Sequence, residues 1–391
     1  VGVAHATGLP GAGDRDRIAC QADQGVAQAR RRVTPWIAVA LLALAACGGA
    51  EPTRPAASVP FPSTPTIDTT PLRQLASAKG IAIGAVTGTA FTQSGGNGPQ
   101  LRATLAREFS MVWSGNYLKF SWLRPAANRY DFFWADSMLA FAQKNSMVVR
   151  GHTLVWHDQL APWLTSGSFT SAQADSILVD HITTVLTRYR GKINIWDVVN
   201  EAVNDDGTMR TASYWYTKLG PDYLERAFRL ARAIDPNAKL FYNDYNIEGL
   251  NAKSNAVYAM LRDLKARGVP IDGIGFQGHF VVGQLPTATD MSLNFARFAA
   301  LGLIVQVTEL DVRIPLPATT ASLAQQANDF AQVFTVCLQT STCNAVELSN
   351  TFDAETWVLT TFPGFGAPGI LTETFERKPA FTAVSRALGG R

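Results

Sequence analysis

Histidine is scarce in this chain of 391 residues, which has five. That leaves little for a histidine-built metal centre, and "HTLVWH", with His152 and His157, has neither the spacing nor the glutamate of a zinc-protease helix. Charge is also sparse, at 17% of residues with a net of +3. Three of the arginines behind that excess, Arg30 to Arg32, sit together in a leader-like segment, so no basic face for nucleic acid remains. "SGGNG" at 94–98 lacks the Gly-Lys-Ser/Thr ending of a phosphate loop, and no Gly-x-Ser-x-Gly elbow occurs. No cofactor is expected. The apolar stretch from Trp36 to Ala46 falls short of the roughly 20 residues that cross a bilayer, which argues against a permanent membrane span.

That same stretch, in "RRRVTPWIAVALLALAACGG", has the order of a secretory signal: a cationic start, an apolar middle, then small residues and Cys47. Leu44-Ala45-Ala46-Cys47 also resembles the bacterial lipobox, whose cysteine is lipidated and becomes the new N-terminus. Ordinary cleavage near Ala46 and release is the alternative. Residues 1–29 precede any sensible signal start and form an uncertain leader, an over-extended reading frame being one explanation; Cys20 is lost with it. Residues 30–47 are then the signal, and 48–70, rich in Pro, Thr, Ser and Ala, a disordered tether. The expected location is the cell envelope through the lipid anchor, otherwise secreted or periplasmic.

Residues 71–391 remain as the folded domain. With 47% hydrophobic residues the chain can bury a large core. Cys337 and Cys343 are close in sequence, and in an exported domain a small disulfide loop is permitted; two free buried thiols are the other reading. Short β-branched or apolar runs alternate with longer amphipathic ones to the C-terminus. The strand candidates lie at 81–86, 111–120, 147–156, 193–201, 239–246, 274–280, 304–312 and 344–352. Segments such as "SYWYTKLGPDYLERAFRLARAI" repeat apolar residues at three and four, as helices covering a sheet do. Eight such βα units predict an α/β fold, a single (β/α)8 TIM barrel; a doubly wound open sheet is the runner-up.

Polar residues gather where these strands end: Asn116 and Lys119, His152 and Trp156, Asn200 and Glu201, Asn243 to Asn246, Gln277 and His279, Glu309 and Asp311. Each alone has an ordinary explanation, as a helix cap or a core hydrogen bond. Together, in a barrel, they meet at the one face where catalytic residues sit. Glu201 and Glu309 come from the fourth and seventh candidates, on opposite sides of the mouth. Two carboxylates flanking a glycosidic bond can break it, one protonating the leaving oxygen and the other attacking the anomeric carbon or activating water.

In chain order, "GHTLVWHDQLAPWL", "WDVVNEAV", "KLFYNDYN", "GIGFQGHF" and "VTELDVR" resemble the signature segments of glycoside hydrolase family 10, the retaining endo-β-1,4-xylanases. The likeness runs from Leu72 to Phe381. It implies that Glu309 is the nucleophile and Glu201 the acid that later acts as base. It further implies that Asn200 holds the 2-hydroxyl of the sugar being cleaved, and that His279 with Asp311 orients the nucleophile. Asn116, Lys119 and His152 would bind hydroxyls on the glycone side, assisted by Gln159 and Gln277, while Trp156, Tyr245 and Trp357 offer flat faces to pyranose rings. Trp122, Trp134 and Trp196 are read as core.

The implied substrate is xylan or xylo-oligosaccharides, taken by a monomer. A related retaining β-glucanase or β-glycosidase and a catalytically weak glycan-binding lipoprotein are the alternatives. Two positions depart from the family pattern. Gly115 stands where a sugar-binding glutamate is usual, and Ser349 where the first strand-eight tryptophan is usual, with polar Tyr117 as a candidate for partial compensation.

Overall fold

A computed structural model describes residues 69–390. The signal stretch, Cys20, Cys47 and the tether up to residue 68 lie outside the described residues. Ten strands are present among those residues: β1 Ala82–Val86, β2 Met111–Trp113, β3 Val148–Val155, β4 Ile195–Asn200, β5 Lys239–Asp244, β6 Gly273–Phe276, β7 His279–Val281, β8 Ile304–Pro315, β9 Cys343–Leu348 and β10 Phe365–Gly366. Eight of them, β1 to β6 with β8 and β9, pair in parallel, and β9 closes the ring onto β1 through Ile83 and Val346. This is the predicted (β/α)8 barrel, not the open sheet. β7 continues β6 alongside β8, with His279 opposite Asp311, and β10 pairs antiparallel with the far end of β8.

Three strand candidates are corrected at their ends. The second stops at Trp113 because Ser114 Oγ accepts from Leu118 N and Asn116 O from Lys119 N, which folds the chain into a turn ahead of the short helix Phe120–Leu123. The sixth breaks at Gly278, whose φ of 76° is left-handed, so Gln277 and His279 project from separate pieces. The last ends at Leu348 rather than at 352.

The helices outside the ring carry the expected periodicity. Helix Ser171–Tyr189 buries Leu178, Ile182, Val185, Leu186 and Tyr189 at spacings of three and four, and starts in a capping box between Thr170 and Gln173. Helix Tyr223–Ile234 buries Leu224, Ala227, Phe228 and Ala231 on one stripe. Cys337, on helix Thr320–Gln339, is bonded to Cys343 at the start of β9, so the disulfide reading holds.

The barrel interior is not wholly apolar. Arg150 on β3 is fully buried and donates to Asp197 on β4, Gln306 on β8 and Glu347 on β9, crossing the ring beneath the mouth. Glu347 fits because Gly84 on β1 faces it: a Cβ there would come within 2.6 Å of Glu347 Cγ. Burial and the charges of Asp197 and Glu309 outweigh Arg150 and push the Glu347 carboxyl up to about 8. Among the tryptophans read as core, Trp196 is completely buried and Trp122 half-buried against the core. Trp134 is not a core residue; it is 37% exposed, because it stands in the first turn of helix Phe133–Lys144 beside another exposed ring.

Candidate active site

Parallel strands and outer helices put every strand's C-terminal end on one face, and six strand ends bring the predicted residues together there. β4 ends in Asn200 and is followed by Glu201, whose φ of 57° turns the chain sharply out of the sheet. A left-handed glutamate is strained, and the neighbours hold it: Glu201 N donates to Asn243 O at 2.9 Å, Arg210 Nε to Glu201 O at 3.0 Å, and Ala202 N to Tyr242 Oη at 3.0 Å. The Glu201 carboxylate is almost fully buried. Its Oε2 accepts from Trp156 Nε1 at 2.8 Å, and its Oε1 from Gln277 Nε2 at 2.8 Å and Asn200 Nδ2 at 3.0 Å.

Glu309 lies within β8 and is likewise almost fully buried. Asn243 Nδ2 donates to Glu309 Oε1 at 2.8 Å and to Asn200 Oδ1 at 2.9 Å, so one side-chain amide joins the surroundings of the two glutamates. Thr308 Oγ1 donates to Asn243 Oδ1 and fixes which way that amide faces. His279 Nε2 is 3.6 Å from Glu309 Oε2, and His152 Nδ1 is 3.9 Å from Glu309 Oε1.

These contacts set the charge states. Burial works against the Glu309 carboxylate, yet His152, His279 and Lys119 hold it down at about 2. Burial also works against the His279 imidazolium, but Asp311 and Glu309 raise it to about 10. Glu309 is therefore an anion and His279 a cation at neutral pH. Burial pulls the Lys119 ammonium below its usual range, opposed by Glu309 and Glu201.

The carboxylate of Asp311 is fully buried and its Oδ2 takes three donors: His279 Nδ1 at 3.0 Å, Asn350 Nδ2 at 3.0 Å and Trp357 Nε1 at 2.9 Å. Asp197 has the matching duty on the other side, accepting from Arg150 Nε at 3.0 Å and lying 3.0 Å from His152 Nδ1. Each histidine beside Glu309 is thus oriented by a buried aspartate.

Lys119 Nζ stands 4.7 Å over the Trp156 ring, which ties the loop after β2 to the loop after β3. Asn116 is half-buried in that first loop. Tyr245 follows β5 with Lys253 Nζ 3.2 Å over its ring and its hydroxyl accepting from Arg210. Trp357 packs edge-on against His279, at 4.8 Å between centroids, and against Phe362. Gln159 is half-buried, and its carbonyl accepts from Ser121 N. Gln277 spends its amide on Glu201 and Asn200. The Tyr117 hydroxyl is committed to Gly88 O at 2.7 Å and is not free to replace the carboxylate missing at Gly115.

A family model described as glycosyl hydrolase family 10 matches residues 71–387. The chain belongs to glycosyl hydrolase family 10. It is 42% identical over 315 residues to endo-1,4-beta-xylanase B of Thermotoga neapolitana, covering 80% of this chain and 90% of that one. It is also 42% identical over 281 residues to endo-1,4-beta-xylanase A of Phanerodontia chrysosporium, covering 72% and 68% of the two chains. Native xylanase 10B from Thermotoga maritima superposes with a TM-score of 0.79 at 41% identity, over 81% of this chain and 98% of that chain. Xylanase 10B from Thermotoga petrophila RKU-1, solved in complex with xylobiose, gives a TM-score of 0.79 at 40% identity, over 82% and 98%.

Within this family-10 site, Asn243 and Asp197 are joined by Thr308, Asn350 and Arg210 as residues to which the sequence alone assigns no role. Asp197 was visible as a lone charge inside the apolar run "IWDVV", where an unpaired carboxylate is not tolerated. Asn243 stood among the strand-end polar residues, but nothing in its spacing shows that its amide spans to Glu309.

The His279 charge yields a titration test. A histidine raised above its ordinary 6.5 adds stability that is complete below about 6.5 and lost as pH rises through about 10. A glutamate depressed below 4.5 adds stability that is complete above about 4.5 and lost as pH falls through about 2. Asp311→Asn removes the stronger of the two anions that hold His279. NMR of the His279 ring should find its midpoint moved from about 10 toward 6.5, with alkaline loss of stability starting at lower pH. A midpoint that stays put would remove Asp311 as the cause.

Proposed function

We propose that this protein is a retaining endo-1,4-β-xylanase that hydrolyses internal β-1,4 bonds of xylan by double displacement. The observation that carries this reading is the pair of buried glutamates, Glu201 and Glu309, joined through Asn200, Asn243 and Gln277 at the barrel mouth. The names of the relatives support xylan as the substrate class.

In the first step Glu309 attacks the anomeric carbon as the glycosidic bond breaks, and Glu201 gives its proton to the departing oxygen. The sugar is left esterified to Glu309. In the second step Glu201 takes a proton from water, the hydroxide adds to the anomeric carbon, and the bond to Glu309 breaks with its electron pair. The configuration is inverted twice and so retained. An anionic Glu309 suits the first step, and His279, held by Asp311, keeps it so. Asn200 lies against Glu201, where its amide can meet the 2-hydroxyl of the sugar being cleaved. Asn116, Lys119, His152 and Gln159 are assigned to the glycone side. The faces of Trp156, Tyr245 and Trp357 are assigned to sugar rings.

A glycan-binding protein without turnover has no use for a nucleophile held as a buried anion, which argues against the non-catalytic alternative. With this activity belongs export through the signal at 30–47, with Cys47 as the lipid anchor at the cell envelope and the barrel acting as a monomer.

Removing the acid should hurt only bonds that need it. Glu201→Ala is expected to slow xylan hydrolysis by about 10²–10⁴. Formation of the Glu309 ester from an aryl xyloside with a strongly acidic phenol should be far less affected, seen as a burst of phenol in stopped-flow assays. Equal losses on both substrates would remove Glu201 from the acid role.

The departure at Gly115 can be tested by reversal, since a Cβ there would meet only Val86 Cγ2, at 3.4 Å. Gly115→Glu should raise kcat/KM on short xylo-oligosaccharides by about tenfold or more, the worth of a hydrogen bond to a charged group. Unchanged kinetics would mean that the glycone pocket is built for different contacts.

A further inference from the structure

Seven large apolar side chains are exposed among the described residues, and five are aliphatic and scattered: Val148, Leu250, Leu293, Leu316 and Leu359. Single exposed leucines are ordinary. The other two, Phe133 at 58% and Trp134 at 37% exposure, are aromatic, adjacent and packed edge to face, with ring centroids 4.8 Å apart.

Their place in the fold matters more than their exposure. Helix Phe133–Lys144 runs back from the C-terminal end of β2 toward the start of β3, so its first turn lies on the barrel face that carries the glutamates. Trp134 packs against Tyr117, at 6.1 Å and 31° between planes, and Tyr117 is in turn held edge-on by Trp122 at 5.8 Å and by its hydrogen bond to Gly88 O. Tyr117 sits between Asn116 and Lys119, in the loop assigned to the glycone side. The aromatic pair is therefore joined to that loop through the buried Tyr117 ring, which braces Trp134.

We propose that Phe133 and Trp134 form a distal stacking platform for a pyranose ring of the substrate chain, beyond the glycone contacts made by Asn116 and Lys119. This rests on the xylanase reading above. A pyranose presents a flat array of C–H groups, which suits an indole face, and a ring already fixed by Tyr117 loses little freedom when the sugar arrives. The platform also suits a site that lacks a carboxylate at Gly115 and an indole at Ser349: it supplies affinity farther along the chain, and only to substrates long enough to reach it.

The test compares xylohexaose with xylotriose, using wild type, Trp134→Tyr and the double variant Phe133→Ala/Trp134→Ala. In the double variant the ratio of kcat/KM on xylohexaose to that on xylotriose should fall about three- to tenfold, chiefly through KM on the longer substrate. Trp134→Tyr, which keeps a flat ring, should recover most of the ratio. Trp134 packs on Tyr117 and Phe133, so the double variant is expected to unfold at a somewhat lower temperature, and the ratio is read well below that transition, where every variant is folded. An unchanged ratio in an active enzyme overturns the platform and leaves the xylanase reading standing. An unchanged ratio with altered sedimentation would assign the pair to contact between copies of this chain and would likewise overturn it. A wild type that cleaves neither oligosaccharide defeats the xylanase reading, and the platform with it.

Discussion

The structure of the mouth depends on keeping one negative charge, that of Glu309, almost wholly out of water. An isolated carboxylate buried in this way would take up a proton. Here Asn243 donates to it at 2.8 Å, His279 and His152 stand 3.6 and 3.9 Å away, and Lys119 adds its charge, so the anion persists down to about pH 2. Each of these groups must itself be held, and that requirement reaches outward. Asp311 holds His279, Asp197 holds His152, and Thr308 holds Asn243. Below them Arg150 ties Asp197 to Gln306 and Glu347 across the ring, which explains why the barrel spends interior volume on polar side chains.

The second glutamate has a different setting. Glu201 stands just past the strand end on a left-handed backbone, its carboxylate hydrogen-bonded by an indole and two amides, with His157 Nδ1 3.8 Å away. The two carboxylates therefore share a network yet differ in electrostatic surroundings. Paired acids that play opposite roles need that asymmetry.

The barrel was legible in the sequence because its signal is repeated: eight apolar runs, helices of period 3.6 between them, and polar residues at strand ends. The two glutamates were legible because Glu201 closes an apolar strand and Glu309 interrupts one, and a carboxylate at either kind of position has few structural uses. What was not legible was lateral. The partnership of Asn243 with Glu309, the three donors converging on Asp311 Oδ2, and the amide of Gln277 turning to Glu201 join different strands, and no local pattern encodes them. Boundaries also escaped where side chains decided them, as when Ser114 and Asn116 close β2 after Trp113. Trp134 looked like core because large rings usually are, but it stands in the first turn of its helix with a ring contact to Tyr117 and more than a third of its surface open.

The proposed chemistry requires Glu309 to attack the anomeric carbon and to carry the sugar between the two steps. The most direct measurement is to incubate the protein with a 2-deoxy-2-fluoro-xylobioside bearing a good leaving group, which slows the second step more than the first, and to locate the label by peptide mass spectrometry. One sugar per chain, esterified to Glu309, is expected. A label on any other residue, or turnover without a label and with inverted product, would take the nucleophile role away from Glu309.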